Sequence, residues 1–116
     1  VSEKRLQAWR LGHRAEAYTT LILRCRGYRL LATRWKSPFG EIDLIMRRGE
    51  TICFIEVKAR AQVDAGLESL RPQQCERIRR AAQLWLSQQR ESTLQPVRFD
   101  LMVISGWRWQ HVRNAF

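Results

Sequence analysis

Four ionisable residues sit where a polypeptide rarely places them. Glu41, Asp43, Glu56 and Lys58 fall in or at the edge of two runs, Glu41–Arg47 and Thr51–Ala59, rich in β-branched and large apolar residues. Such runs read as strands, and the polar segment with Gly49 between them reads as the turn of a hairpin. Stripping water from a charge inside a strand is costly unless the charge is paired or metal-bound. Two carboxylates that converge can share a cation. Oxygen ligands of this kind suit Mg²⁺ or Mn²⁺, which bind through one or two carboxylates together with substrate phosphates.

Whether Asp43 and Glu56 converge depends on the turn. With Arg48-Gly49 as a two-residue loop, Arg47 pairs with Glu50 and Asp43 lies opposite Phe54. Glu56 is then a diagonal neighbour of Asp43 on the same face, roughly 7–8 Å away between backbones. Lys58 shares that face by alternation. A slip of one residue would send Asp43 to the other face. Arginine is a poor residue for the first turn position, so a longer loop with a bulge stands as an alternative. Each residue also has a purely structural reading. Asp43 can bond the turn backbone, Glu56 and Lys58 can form a salt bridge, and Glu41 reads as exposed. Two acids and a lysine together, in a strongly basic chain, favour the metal-dependent reading.

The surrounding elements must hold this hairpin. Residues 3–26 read as a helix with an apolar stripe of Ala17, Tyr18, Leu21, Ile22 and Cys25, closed by Gly27. On this helix Glu16 reads as a solvated glutamate paired with Lys4, Arg10 or Arg14, and His13 as a boundary residue. Tyr28–Trp35 is a strand, and residues 36–40 link it to the hairpin. Residues 61–70 lack periodicity and read as a loop beside the Lys58 end. Pro72 suits the first turn of a second helix running to about Gln89, with Cys75, Ile78, Ala82 and Trp85 inward. Arg77, Arg79, Arg80 and Arg90 decorate its other faces. Val97–Ile104 and Trp107–Val112 are the last strands. A long helix between the third and fourth strands makes that pair parallel, whereas the hairpin is antiparallel. The expected fold is α/β, a central mixed sheet flanked by helices in the order α-β-β-β-α-β-β, built as one domain over residues 1–116.

Charge is the compositional outlier. The 116 residues carry 21 Lys and Arg against 11 Asp and Glu, a net charge of +10, which favours a polyanionic partner. Cys25, Cys53 and Cys75 are odd in number and widely spaced, so they read as small core residues in a reducing compartment. No signal peptide or membrane-length apolar run is present, which points to the cytosol and away from a membrane. The chain begins at Val1, as one shortened at its N-terminus would. No phosphate-binding glycine loop, zinc spacing or nucleophile elbow occurs.

Asp43 followed by Glu56-Val57-Lys58 resembles the D…(D/E)-x-K signature of the restriction-endonuclease-like nucleases. Gly12-x-x-x-Glu16, Gly40-Glu41-Ile42-Asp43-Leu44-Ile45, Phe54-Ile55-Glu56-Val57-Lys58-x-Arg60 and Arg98-Phe99-Asp100 together resemble the YraN-like family. That family is related to the archaeal Holliday junction resolvases. The likeness spans almost the whole chain. One departure stands out: many relatives have a lysine early in the second helix, where this chain has Gln74.

The resemblance implies a nuclease acting on DNA, with branched or junction DNA among its candidate substrates. Asp43, Glu56 and the Val57 carbonyl would hold a divalent cation, and Lys58 would act on the attacking water or the transition state. It assigns Glu16 to the metal site, against the reading from helix geometry alone. Arg47, Arg48, Arg60, Arg77 and the Gln74 position would meet flanking phosphates, which orient a duplex without reading its sequence. A homodimer pairing through the Trp107–Val112 strand is a further expectation. The competing class is a non-catalytic nucleic-acid-binding module that retains the nuclease fold. A third is a basic interaction domain in a ribosomal or DNA-processing assembly.

Binding driven by this charge should be indifferent to sequence and weaken steeply with salt. The slope of log K against log salt should gain about −0.9 for each duplex phosphate neutralised. Titration of a labelled duplex at several salt concentrations checks this, and a flat response would remove nucleic acid as the partner.

Overall fold

A computed structural model describes residues 2–89 and 95–116. Helix α1 (Glu3–Cys25) starts at Ser2, whose hydroxyl accepts the Arg5 amide, and stops before Gly27 at φ +90°. Strands β1 (Arg29–Ser37), β2 (Gly40–Arg48) and β3 (Thr51–Ala59) follow as an antiparallel meander. A short helix α2 (Val63–Glu68) and a longer α3 (Pro72–Ser87) lead to β4 (Val97–Ser105) and β5 (Arg108–Val112). The sheet order is β1-β2-β3-β4-β5, with β3 and β4 parallel and β5 at an edge. This is the mixed sheet flanked by helices that the sequence leads one to expect, in a restriction-endonuclease-like arrangement.

Both faces of the sheet are covered. Leu44, Met46, Cys53, Ile55, Met102 and Ile104 pack under α1 against Ala15 and Leu23, with Tyr18 and Ile22 beside them. Ile42, Ile45, Ile52 and Phe54 pack under α3 against Ala81, Ala82 and Trp85. Burial on both sides explains why β2 and β3 read as nearly continuous apolar runs.

Four expectations need correction. The hairpin turn is Gly49-Glu50, because Arg48 pairs with Thr51 and Ile45 with Phe54. Gly49 takes φ +60°, which a glycine adopts far more readily than an arginine. The register therefore moves by two residues, and the faces are unchanged. The buried stripe of α1 is Ala15, Thr19 and Leu23, with Tyr18 and Ile22 at its margin; Ala17, Leu21 and Cys25 are exposed. Cys53 and Cys75 are buried as expected. Residues 61–70 contain α2, six residues too short for periodicity to reveal. Its Gly66 packs on Val103 so closely that a Cβ would collide with that side chain. Strand β1 also runs two residues further, to Ser37. Arg90 lies outside the described residues. Among those described, no helix is long and apolar enough to cross a membrane.

One polar knot ties the α1 side together. Asp100 is fully buried and accepts from Arg98 Nε at 2.8 Å, His111 Nε2 at 2.7 Å and the Asn114 amide at 3.0 Å. Arg98 Nη2 also donates to Tyr28 Oη at 2.6 Å. Burial alone would raise the Asp100 pKa. The bonds from His111, Arg98 and Asn114 outweigh it and hold the carboxyl below its usual value. Asp100→Ala strands the partners of a buried charge and should cost about 3–5 kcal/mol. Urea unfolding measures this, and a loss under about 1 kcal/mol would show the knot to be incidental.

Candidate active site

The acid pair is made by a local failure of the sheet. The β2–β3 ladder ends at Leu44↔Ile55, one step before Asp43 would meet Glu56. Instead, Asp43 Oδ2 accepts the Val57 amide at 2.8 Å. A side chain thus replaces the backbone acceptor that a continuing strand would supply. The strand's alternation breaks at the same point, since Ile42 and Ile45 share one core and Leu44 the other. Across the split, β1 carries Arg34 at φ +46°, uncommon for a residue other than glycine. In an extended strand the N–H and C=O of one residue point to the same side, so the Val57 carbonyl faces the gap that Asp43 fills.

Glu56 enters from the α3 side. Its neighbours Ile55 and Val57 pack toward α1, and alternation turns Glu56 and Lys58 the other way. Glu56 Oε1 accepts the Gln74 amide at 2.9 Å and lies 3.3 Å from Lys58 Nζ. Its carboxyl also hydrogen-bonds that of Asp43. Burial and then the charge of Glu56 push Asp43 up to about 8, against the pull of the Val57 amide. Burial raises Glu56 too, with Lys58 opposing. Both carboxyls are thus pushed toward the protonated form, Asp43 by its acid neighbour as well as by burial.

Glu16 approaches from α1. It is gripped by Arg34, whose Nη2 lies 2.7 Å and Nε 3.0 Å from Oε2. This partner comes from β1 and not from the helix itself, where Lys4, Arg10 and Arg14 are the sequence candidates. Glu16 in turn raises the Arg34 pKa. Glu16, Arg34 and Asp43 line one open cleft of about 420 Å³ with Val57, Lys36, Glu41 and the α1 residues Ala8, Trp9, Gly12 and His13. Glu41 is exposed at its rim.

The structure thus brings Glu16, Asp43, Glu56, Val57, Lys58 and Gln74 into one neighbourhood. Among the described residues, no group of three His, Cys, Asp or Glu side chains forms a ready metal cluster. The acids come as a pair, with Glu16 held by Arg34. Arg60 is exposed just past the end of β3, and Arg77 is exposed on α3. Arg47 and Arg48 lie by the turn, about 13–17 Å along the strand from Asp43. Arg47 donates to Gln95, and Arg48 sits over the Tyr28 ring. Gln74 is half-buried and spends its amide on a carboxylate, Glu56. Sequence reasoning missed Arg34, and its only signal was one charged residue in the middle of a strand. It also missed that Trp9, Gly12, His13 and Glu16 share a helix face, although their spacing of three, four and seven residues carries that information.

The profile of a family described as "Uncharacterised protein family UPF0102" matches residues 15–104. A UPF0102 protein of Mesorhizobium japonicum is 44% identical over 99% of this chain and 93% of its own length. Another, from Parvibaculum lavamentivorans, is 45% identical over 96% of this chain and 84% of its own. A third, from Chelativorans sp., is 43% identical over 97% and 91%.

The raised Asp43 pKa has a consequence for stability. Between the ordinary aspartate pKa of 3.8 and the value of about 8, the folded chain binds a proton that the unfolded chain does not. Stability without divalent cations should therefore fall as pH rises through this window and level off above it. Asp43→Asn keeps an acceptor for the Val57 amide and removes the charge. Its melting midpoint should be flatter with pH and exceed wild type at pH 9 by roughly 5 °C. Thermal melts of both proteins from pH 5 to 9 test this, and parallel curves would refute the raised pKa.

Proposed function

The chain belongs to the UPF0102 family, within the PD-(D/E)xK-like superfamily, and from that premise we propose that it hydrolyses phosphodiester bonds in DNA with Mg²⁺ or Mn²⁺ as cofactor. The observation that carries the proposal is the Asp43–Glu56 pair, a half-buried and a buried carboxyl whose pKa values are both raised. Such a pair suits a hard divalent ion, whose charge offsets the burial that raises both pKa values and the Glu56 charge that raises Asp43 further. Asp43, Glu56 and the Val57 carbonyl would hold it, an all-oxygen donor set. When bound there, the ion supplies Lewis-acid polarisation of the phosphoryl group and a more acidic water.

The chain's own groups have distinct tasks. The Val57 amide and the Gln74 amide fix one oxygen each of Asp43 and Glu56. Lys58, held at Glu56, orients the attacking water or offsets negative charge that grows in the transition state. Glu16, set by Arg34, faces the same cleft as Asp43 and orders solvent there. Arg60 and Arg77 contact flanking phosphates near the cleft, and Arg47 and Arg48 do so farther along a bound duplex. Branched or junction DNA fits a pair of such sites, and a homodimer through the β5 edge would supply one. A cytoplasmic location agrees with these substrates.

The second reading is a non-catalytic nucleic-acid-binding module. It draws support from Glu56 Oε1, where Gln74 and Lys58 already converge. One panel of branched, duplex and single-stranded substrates with Mg²⁺ or Mn²⁺ separates the two. An enzyme should lose cleavage to background in Asp43→Ala while keeping or improving nucleic-acid binding, since an acid has been removed. Lys58→Ala should lose about 10²–10³ in rate, the usual cost of removing a group that stabilises transition-state charge. No cleavage of any substrate, with no cation uptake in the presence of nucleic acid, would leave the binding module.

A further inference from the structure

Trp9 is 59% exposed, yet it is not a stray surface residue. Its ring lies against that of His13 at 3.7 Å between centroids with a 36° tilt, and His13 Nδ1 is 2.9 Å from the Trp9 carbonyl. Trp9, Gly12, His13 and Glu16 occupy one face of α1, and all four line the cleft whose floor is Asp43 and Val57. Gly12 is the odd member. A glycine inside a helix costs about 1 kcal/mol relative to alanine. Nothing in the fold demands it here: a Cβ at Gly12 would meet no atom within 4 Å, and its φ is not among the positive values. What glycine does at this position is keep the cleft open beside an aromatic platform. Lys36 and Arg34, from β1, line the same cleft.

We infer that this wall of the cleft is a base-binding subsite, in which an unpaired base of the nucleic-acid strand stacks on the Trp9–His13 platform in the space left by Gly12. The inference rests on the nuclease reading for its substrate and adds that the strand is single or splayed at the site. A base inside a continuous duplex has no free face to offer a tryptophan. A flipped or unpaired base does, and stacking on aromatic side chains is indifferent to base identity. Lys36 and Arg34 face the negative backbone of that nucleotide. Seven residues of helix separate Trp9 from Glu16, roughly 10 Å along the axis. The stacked base therefore belongs to a nucleotide flanking the phosphate at Asp43.

The test uses the whole chain carrying Asp43→Asn, without divalent cations, so that binding is read with no cleavage. The probes are labelled oligothymidylate and a blunt duplex of equal length, followed by fluorescence anisotropy. Adding Trp9→Ala should raise Kd for oligothymidylate about tenfold or more. The duplex Kd should change less than twofold. Trp9→Phe should restore most of the affinity, and Gly12→Leu should lose it as Trp9→Ala does. Unchanged oligothymidylate binding in Trp9→Ala, or an equal loss for both probes, would overturn the subsite. The two readings fail separately. A wild type that cleaves nothing leaves this binding result standing, whereas one that cleaves single-stranded or splayed DNA equally well with and without Trp9 keeps the nuclease and removes the subsite.

Discussion

Two carboxylates buried side by side repel each other, and the rest of this molecule is arranged around that repulsion. Asp43 and Glu56 meet where β2 parts from β3, and burial pushes both carboxyls toward the protonated form. The split supplies the space for the pair and exposes the backbone of Val57, whose amide then steadies Asp43. Were the ladder continuous, Val57 would bond to β2 and Asp43 would be an ordinary strand residue. The break also opens the sheet from both faces at once. Glu16 reaches the gap from α1 and Gln74 from α3, while Glu56 and Lys58 project from β3 on the α3 side.

A split of this kind needs rigid surroundings, since an acid pair in a soft site would separate into water. Two packed cores clamp β2 and β3 up to the last paired residues, Leu44 and Ile55. The Asp100 knot fastens β4 and β5 to Tyr28, the residue before β1. It contrasts with the acid pair. Asp100 is more deeply buried than Asp43, yet its pKa falls, because cationic and N–H donors surround it. Asp43 has one backbone donor to set against its burial and an acid for a neighbour, and its pKa rises. Equivalent side chains in one small fold are thus tuned in opposite directions by their partners. The satisfied one is structural, and the unsatisfied one is the candidate for chemistry.

Much of this was legible in the sequence, and the omissions have physical causes. Strand identity and the parallel β3–β4 pair follow from apolar runs and from the long crossover. The common face of Glu56 and Lys58 follows from strand alternation. The turn was misplaced because Arg48-Gly49 and Gly49-Glu50 differ in which position glycine takes, and only the backbone angle decides. The result survived because a shift of two preserves faces. The stripe on α1 was rotated because a basic helix with Leu6, Leu11 and Leu21 exposed offers competing apolar lines. Gln74 was noticed as a departure from relatives, but its bond to Glu56 joins residues from α3 and β3 and has no local signature. The Arg34–Glu16 pair is hidden for the same reason.

The acid pair also bears on which function the fold is suited to. A module that only binds nucleic acid needs exposed cations, and this chain has them in excess. For such a module Asp43 and Glu56 are doubly unfavourable. They place negative charge next to a polyanion, and they raise the cost of folding by keeping a titratable pair out of water. Apolar residues of similar volume would generally serve stability as well or better. The pair becomes useful only if something positive enters the gap together with the phosphate. On the proposed function, the basic surface would gather the strand and the acid pair would hold the cation at one point on it, so that the two opposite charges of the molecule would act in series on a single bond.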